Sequence, residues 1–222
     1  MSYSLRLILT VLGVIVAVLG LGADHIAVFP AVMTVTATNP EARSFLGAFV
    51  YFWTFFTHLT NLWLLLIYVA ALTTWRWLGW FRRPYTLASA AAFITLVLLF
   101  YHFILLPTVT LEGLLGFGSI MLHYVAPVLY LVWWVACAPH GELRFGQLPL
   151  MLLPGAIYLV WVLARGAVVN EYPYDILDAG QYGYGHVASG AGMVLAAVLV
   201  FSIVLILVDA WLGRRKRAAS GA

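Results

Sequence analysis

Apolar residues fill six blocks of the chain, each closed by a charge, a proline or a glycine. They run from about Leu5 to Leu21, Phe45 to Thr74, Tyr85 to Leu106, Gly118 to Cys137, Gln147 to Val168 and Val187 to Leu212. Each approaches or exceeds the roughly 20 residues with which an α-helix crosses the hydrocarbon core of a bilayer. A helix satisfies its own backbone polar groups there. The pattern predicts an all-α polytopic membrane protein, six transmembrane helices forming a single domain over residues 1–222. The first block reads as a retained helix rather than a signal peptide, because Gly20-Leu21-Gly22-Ala23-Asp24 is a poor cleavage site and Arg6 alone makes a thin basic flank. Two outer connections are long. Asp24 to Ser44, with Pro30 and Pro40, reads as a lid or a partly re-entrant stretch. Asn170 to His186 is rich in Tyr, Gly and Asp, lacks helical periodicity, and reads as a loop covering the outer mouth of the bundle.

Composition supports the membrane reading. Of 222 residues, 64% are hydrophobic and 9% charged, and mean hydropathy is +1.02. The net charge of +3 does not point to nucleic acid, since seven of the eleven basic residues sit in two short clusters beside apolar blocks. These clusters are topology signals. Arg6, Arg76, Arg82, Arg83, Arg144, Arg214, Arg215, Lys216 and Arg217 fall on one side of the six crossings, and only Arg43 and Arg165 on the other. The rule that basic loops stay inside then places both termini in the cytoplasm. Trp75, Trp77 and Trp80 beside the first cluster read as an interfacial belt. The single Cys137 excludes an internal disulfide.

The second block carries polar side chains at its centre. Thr54, Thr57, His58 and Asn61 follow helical spacing, so a continuous helix would put them on one face. Lipid cannot satisfy such a face, which therefore looks into the protein or a hydrated cavity. Counting depth from the block centres at about 1.5 Å per residue places Thr57 and His123 roughly three residues to the outer side, and His102 roughly five. His58, His102 and His123 are intramembrane, whereas His25, His140 and His186 fall in connections and read as solvated. Asp209, at the cytoplasmic end of the sixth block, is the only acid expected inside a span, so a triad with a buried carboxylate is disfavoured. A hydroxyl, imidazoles and an amide remain. A neutral His123 can take a proton from Thr57, Thr57 can attack a carbonyl, and Asn61 can donate to the oxyanion or orient the site. Thr60 is a rival nucleophile, and His58, His102, Tyr101 and Thr54 are candidates for contacting substrate. The expected substrate is a membrane lipid or fatty acid ester. No cofactor or metal is required, and nothing in the pattern specifies an oligomeric state.

Phe-Thr-x-x-Thr-Asn at Phe56 to Asn61, Leu122-His123-Tyr124-Val125-Ala126-Pro127, and Tyr172-Pro173-Tyr174-Asp175 followed by Leu177-Asp178 resemble the bacterial six-span branch of the androgen-induced and androgen-dependent TFPI-regulating proteins. The resemblance covers nearly the whole chain in span order. It implies an intramembrane threonine hydrolase of fatty acid esters of hydroxy fatty acids, a carboxylic ester hydrolase in a bacterial inner membrane, with Thr57 as nucleophile and His123 as base. Animal members place the threonine three residues before the asparagine. Here Thr57 stands four before Asn61 and Thr60 one before, so both hydroxyls remain open. Two other classes fit parts of the pattern: a zinc or haem site built from His58, His102 and His123, and a non-enzymatic lipid-binding or transport protein.

Overall fold

A computed structural model describes residues 2–36 and 41–220, with side chains described to residue 218. The protein is an all-α polytopic membrane protein: among the described residues five helices are long and apolar enough to cross a bilayer, and a bent pair is a sixth when taken as one span. No β-strand occurs among the described residues. The main helices are α1 (Tyr3–Met33), α2 (Phe45–Phe52), α3 (Phe56–Leu72), α4 (Pro84–Phe100), α5 (Gly113–Ile120), α6 (Ala126–Cys137), α7 (Leu148–Val169) and α8 (Ala179–Ser220). They gather into two compact units, residues 1–81 with 97–137, and residues 82–96 with 138–222.

Three expectations from the hydropathy pattern are corrected. First, the opening helix does not stop at Leu21 but runs to Met33, with Pro30 inside it. Asp24 and His25 are therefore helical, not loop residues; Pro40 lies outside the described residues. Asp24 marked an apparent boundary only because an isolated charge is unwelcome in a span, and here it is paired. Second, the block from Phe45 to Thr74 is not one helix. It bends by 78° between α2 and α3, so Thr54 lies in the break, and its hydroxyl donates to the Val50 carbonyl at 2.6 Å. Third, the connection after α7 is shorter than expected. A short turn at Asp175–Leu177 leads into α8 at Ala179. The Asp178 carboxylate caps that start by accepting from the Gln181 amide at 2.9 Å, and Gly183, at φ 77°, supplies a kink open to glycine.

In the first unit α1 is the central element, packing on α3, α5 and α6. Small residues allow this, because Gly13 lies against the Tyr68 ring and Gly20 against Leu122. Trp133 donates to Thr10 at 2.8 Å, and Thr10 donates to the Arg6 carbonyl at 2.7 Å. Hydroxyls that would be costly in lipid are thus satisfied within or between helices. Two wide π turns interrupt the helical ladder, at Tyr101–Leu105 after α4 and at Met121–Val125 between α5 and α6.

In the second unit the Ser89 hydroxyl donates to the Met151 carbonyl at 2.6 Å, tying α4 to α7. Val162, Leu177 and Val187 form a core beneath the α7 to α8 connection. The α6 to α7 connection is fastened by Asp209 of α8. Its carboxylate accepts from the Gly141 and Leu143 amides, both at 2.9 Å, and pairs with His140 at 3.1 Å. His140 is therefore buried and paired, not solvated as its place in a turn suggested.

Candidate active site

The polar cluster is assembled in the first unit from α1, α3, α5 and the two π turns. Thr57 lies in the first turn of α3 and is 8% exposed. Its Oγ1 stands 3.3 Å from His123 Nε2. His123 occupies the middle of the second π turn, a geometry that recurs at functional sites. One turn back, the Ser119 carbonyl lies 2.9 Å from His123 Nδ1. A carbonyl only accepts, so Nδ1 carries the proton and Nε2 turns its lone pair toward Thr57. The hydroxyl then donates to the imidazole, which is the polarity a nucleophile and its base require. Tyr101 stacks on the His123 ring at 3.9 Å, and Ser119 Oγ donates to the Tyr101 hydroxyl at 2.9 Å. Ring and tautomer are both fixed from the side away from Thr57.

Asn61 holds the frame. Its Nδ2 donates to the Thr57 carbonyl at 2.9 Å and to the Leu122 carbonyl at 3.3 Å, joining α3 to the second π turn. Both amide hydrogens are used, so of the two roles open to Asn61, orienting fits and oxyanion donation does not. Thr57 and His58 lie in the first turn of α3, whose N–H groups precede the helical ladder. Thr60 is buried at 2% exposed, and no hydrogen bond joins it to His123 among the described residues.

His58 is not free to contact substrate. Nδ1 lies 2.7 Å from the Phe52 carbonyl and Nε2 3.0 Å from Asp24 Oδ2. Asp24 and His58 are each 7% exposed, so a buried carboxylate stands one residue from the proposed nucleophile. This corrects the expectation that no acid other than Asp209 would lie inside a span. His102 is exposed, its Nδ1 3.0 Å from the hydroxyl of the half-buried Tyr124. The three intramembrane imidazoles are therefore engaged separately, and no group of three metal-ligating side chains occurs among the described residues. His25 stacks on Phe29 at 3.8 Å within α1, and His186 is exposed on α8. Sequence reasoning missed Asp24 and Ser119. The i, i+4 spacing of Ser119 and His123 was an available signal; the partner of Asp24 lies 34 residues away, and spacing carries no hint of it.

Fold and cluster together define a helical multi-pass membrane protein with a hydroxyl and an imidazole paired inside the bundle. No family model, curated protein or solved structure matches the chain.

Proposed function

We propose that the chain is an intramembrane lipid-ester hydrolase with Thr57 as nucleophile and His123 as general base, acting on fatty acid esters of the hydroxy fatty acid type. The observation that carries this reading is the 3.3 Å approach of Thr57 Oγ1 to a His123 Nε2 whose ring partner on the other side, the Ser119 carbonyl, leaves that nitrogen as acceptor. Thr57 Oγ attacks the ester carbonyl carbon while its proton passes to Nε2. The first-turn amides of α3, at the positive end of the helix, receive the developing oxyanion. The carbon–oxygen bond to the alcohol then breaks, the alcohol leaves with the proton from His123, and an acyl-Thr57 ester remains. Water adds to that ester, giving its proton to His123; Thr57 departs and is reprotonated from the same nitrogen. The sum is ester plus water to acid plus alcohol.

The test is hydrolysis of branched fatty acid esters and short p-nitrophenyl esters by purified protein in micelles, with fluorophosphonate labelling of the nucleophile. Thr57→Ala should abolish both. His123→Ala should slow turnover by on the order of 10²–10⁴-fold, the usual worth of a positioned base. Thr60→Ala should keep both activities. Equal labelling of Thr57→Ala and Thr60→Ala would end the hydroxyl mechanism, and an ester that co-purifies intact with no turnover would favour a lipid-binding protein.

A further inference from the structure

The break in the second span is held from outside its own backbone. α2 ends at Phe52, and α3 begins at Phe56 with no side-chain cap. His58 closes the gap. Its Nδ1 meets the Phe52 carbonyl at 2.7 Å, and its ring lies flat on the Phe52 ring at 3.9 Å with planes 7° apart. On the far side Nε2 meets Asp24 of α1 at 3.0 Å. Counting protons defines the pair. The Phe52 carbonyl requires Nδ1–H, and the contact with Asp24 requires one more proton, on Nε2 or on the carboxyl. In either arrangement the pair is neutral overall, which is the form a low-dielectric interior tolerates. The other carboxylate oxygen, Oδ1, has no partner among the described residues and lies against Gly118. That leaves the His58 contact as the carboxylate's hydrogen bond to a side chain.

We infer that Asp24 and His58 are positioning residues: together they clamp the 78° bend and so present Thr57, one residue before His58, to His123. This rests on the hydrolase reading for its catalytic consequence, but not for the clamp itself. Thr57 sits in the first turn after the break, so a straightened span would carry its hydroxyl away from Nε2. The carboxylate acts here through geometry rather than charge. An amide at position 24 can donate to a neutral Nε2 and keep the same bond, whereas a hydrocarbon cannot.

The other ionisable groups around the pair leave this contrast intact. Arg43 stacks on Tyr51 beside α2, Tyr101 and His123 approach from the π turns, and His25 stands beside Phe52 at 5.2 Å. None is altered by the substitutions used.

The experiment has two arms. In a Cys137→Ser background, spin labels at the exposed Leu46 and Leu72 report the distance across the bend. The wild-type background and Asp24→Asn should give one shared, narrow distribution, and Asp24→Leu a longer or broader one. In the second arm, Asp24→Leu should lower kcat at least 100-fold with KM within about twofold, and Asp24→Asn should retain kcat within about tenfold. An unchanged distance in Asp24→Leu overturns the clamp, whatever the turnover. An Asp24→Asn that loses turnover as Asp24→Leu does, at an unchanged distance, overturns the geometric role and makes Asp24 a charge acting on the site. If Thr57→Ala turns over as fast as wild type, the hydrolase reading fails and the distance arm alone decides the clamp.

Discussion

Each unit buries an aspartate against a histidine, and the two pairs differ in what surrounds the carboxylate. Asp209 is saturated: one oxygen meets His140, and the other accepts two backbone amides from the α6 to α7 connection. Among the described residues Asp24 has one side-chain partner, with its other oxygen unpaired. A saturated carboxylate fastens a loop to a helix, and removing it orphans three donors. A carboxylate with one partner fastens less than one with three, and what Asp24 fastens is the bend beside Thr57. Glycine accompanies both. A Cβ on Gly213 would come within 2.5 Å of the Gly141 backbone, and one on Gly118 would meet the tip of the Asp24 side chain.

The sharpest way to break the comparison is to remove each side chain. Asp209→Ala should cost at least about 3 kcal/mol, three orphaned donors at about 1 kcal/mol or more each, read as the loss of melting temperature in detergent. Asp24→Ala should cost less, about 1–3 kcal/mol for one orphaned ring nitrogen, yet suffer the larger loss of ester turnover. Equal stability losses would erase the distinction drawn between the two pairs.

The glycines sharpen it further. Gly213→Ala presses on backbone and should destabilise by about 1–3 kcal/mol, as overpacking does. Gly118→Ala presses on the end of a side chain that can yield, so its melting temperature should fall less while turnover drops. The smallest effect belongs to a contact outside both pairs. Ser44 caps α2 by accepting from the Gly47 amide at 3.1 Å, and Ser44→Ala should cost about 1 kcal/mol without changing either pair, measured in the same melts.

Part of the candidate site could be read without coordinates. Depth counting brought Thr57 and His123 to one level, and their side chains meet across 66 residues of sequence. The same reading set Thr54 on the face of Thr57, which the break at Trp53–Phe55 prevents. It gave His58 to substrate, although both ring nitrogens are already committed. It left His140 in solvent, because a histidine in a proline and glycine turn carries no mark of the distant aspartate that covers it.

Hydropathy alone determined the helical class and the six apolar stretches, since the bilayer selects on the sum of transfer free energies along a segment. Only tertiary structure decided that α1 continues through Asp24, that the second span bends, and which imidazole faces which partner. A charge ends an apolar stretch when residues are summed singly, but it is admitted once a proton is shared with a neighbour on another helix. That neighbour is chosen by how closely helices approach and rotate at residues such as Gly118, which no one-dimensional pattern encodes.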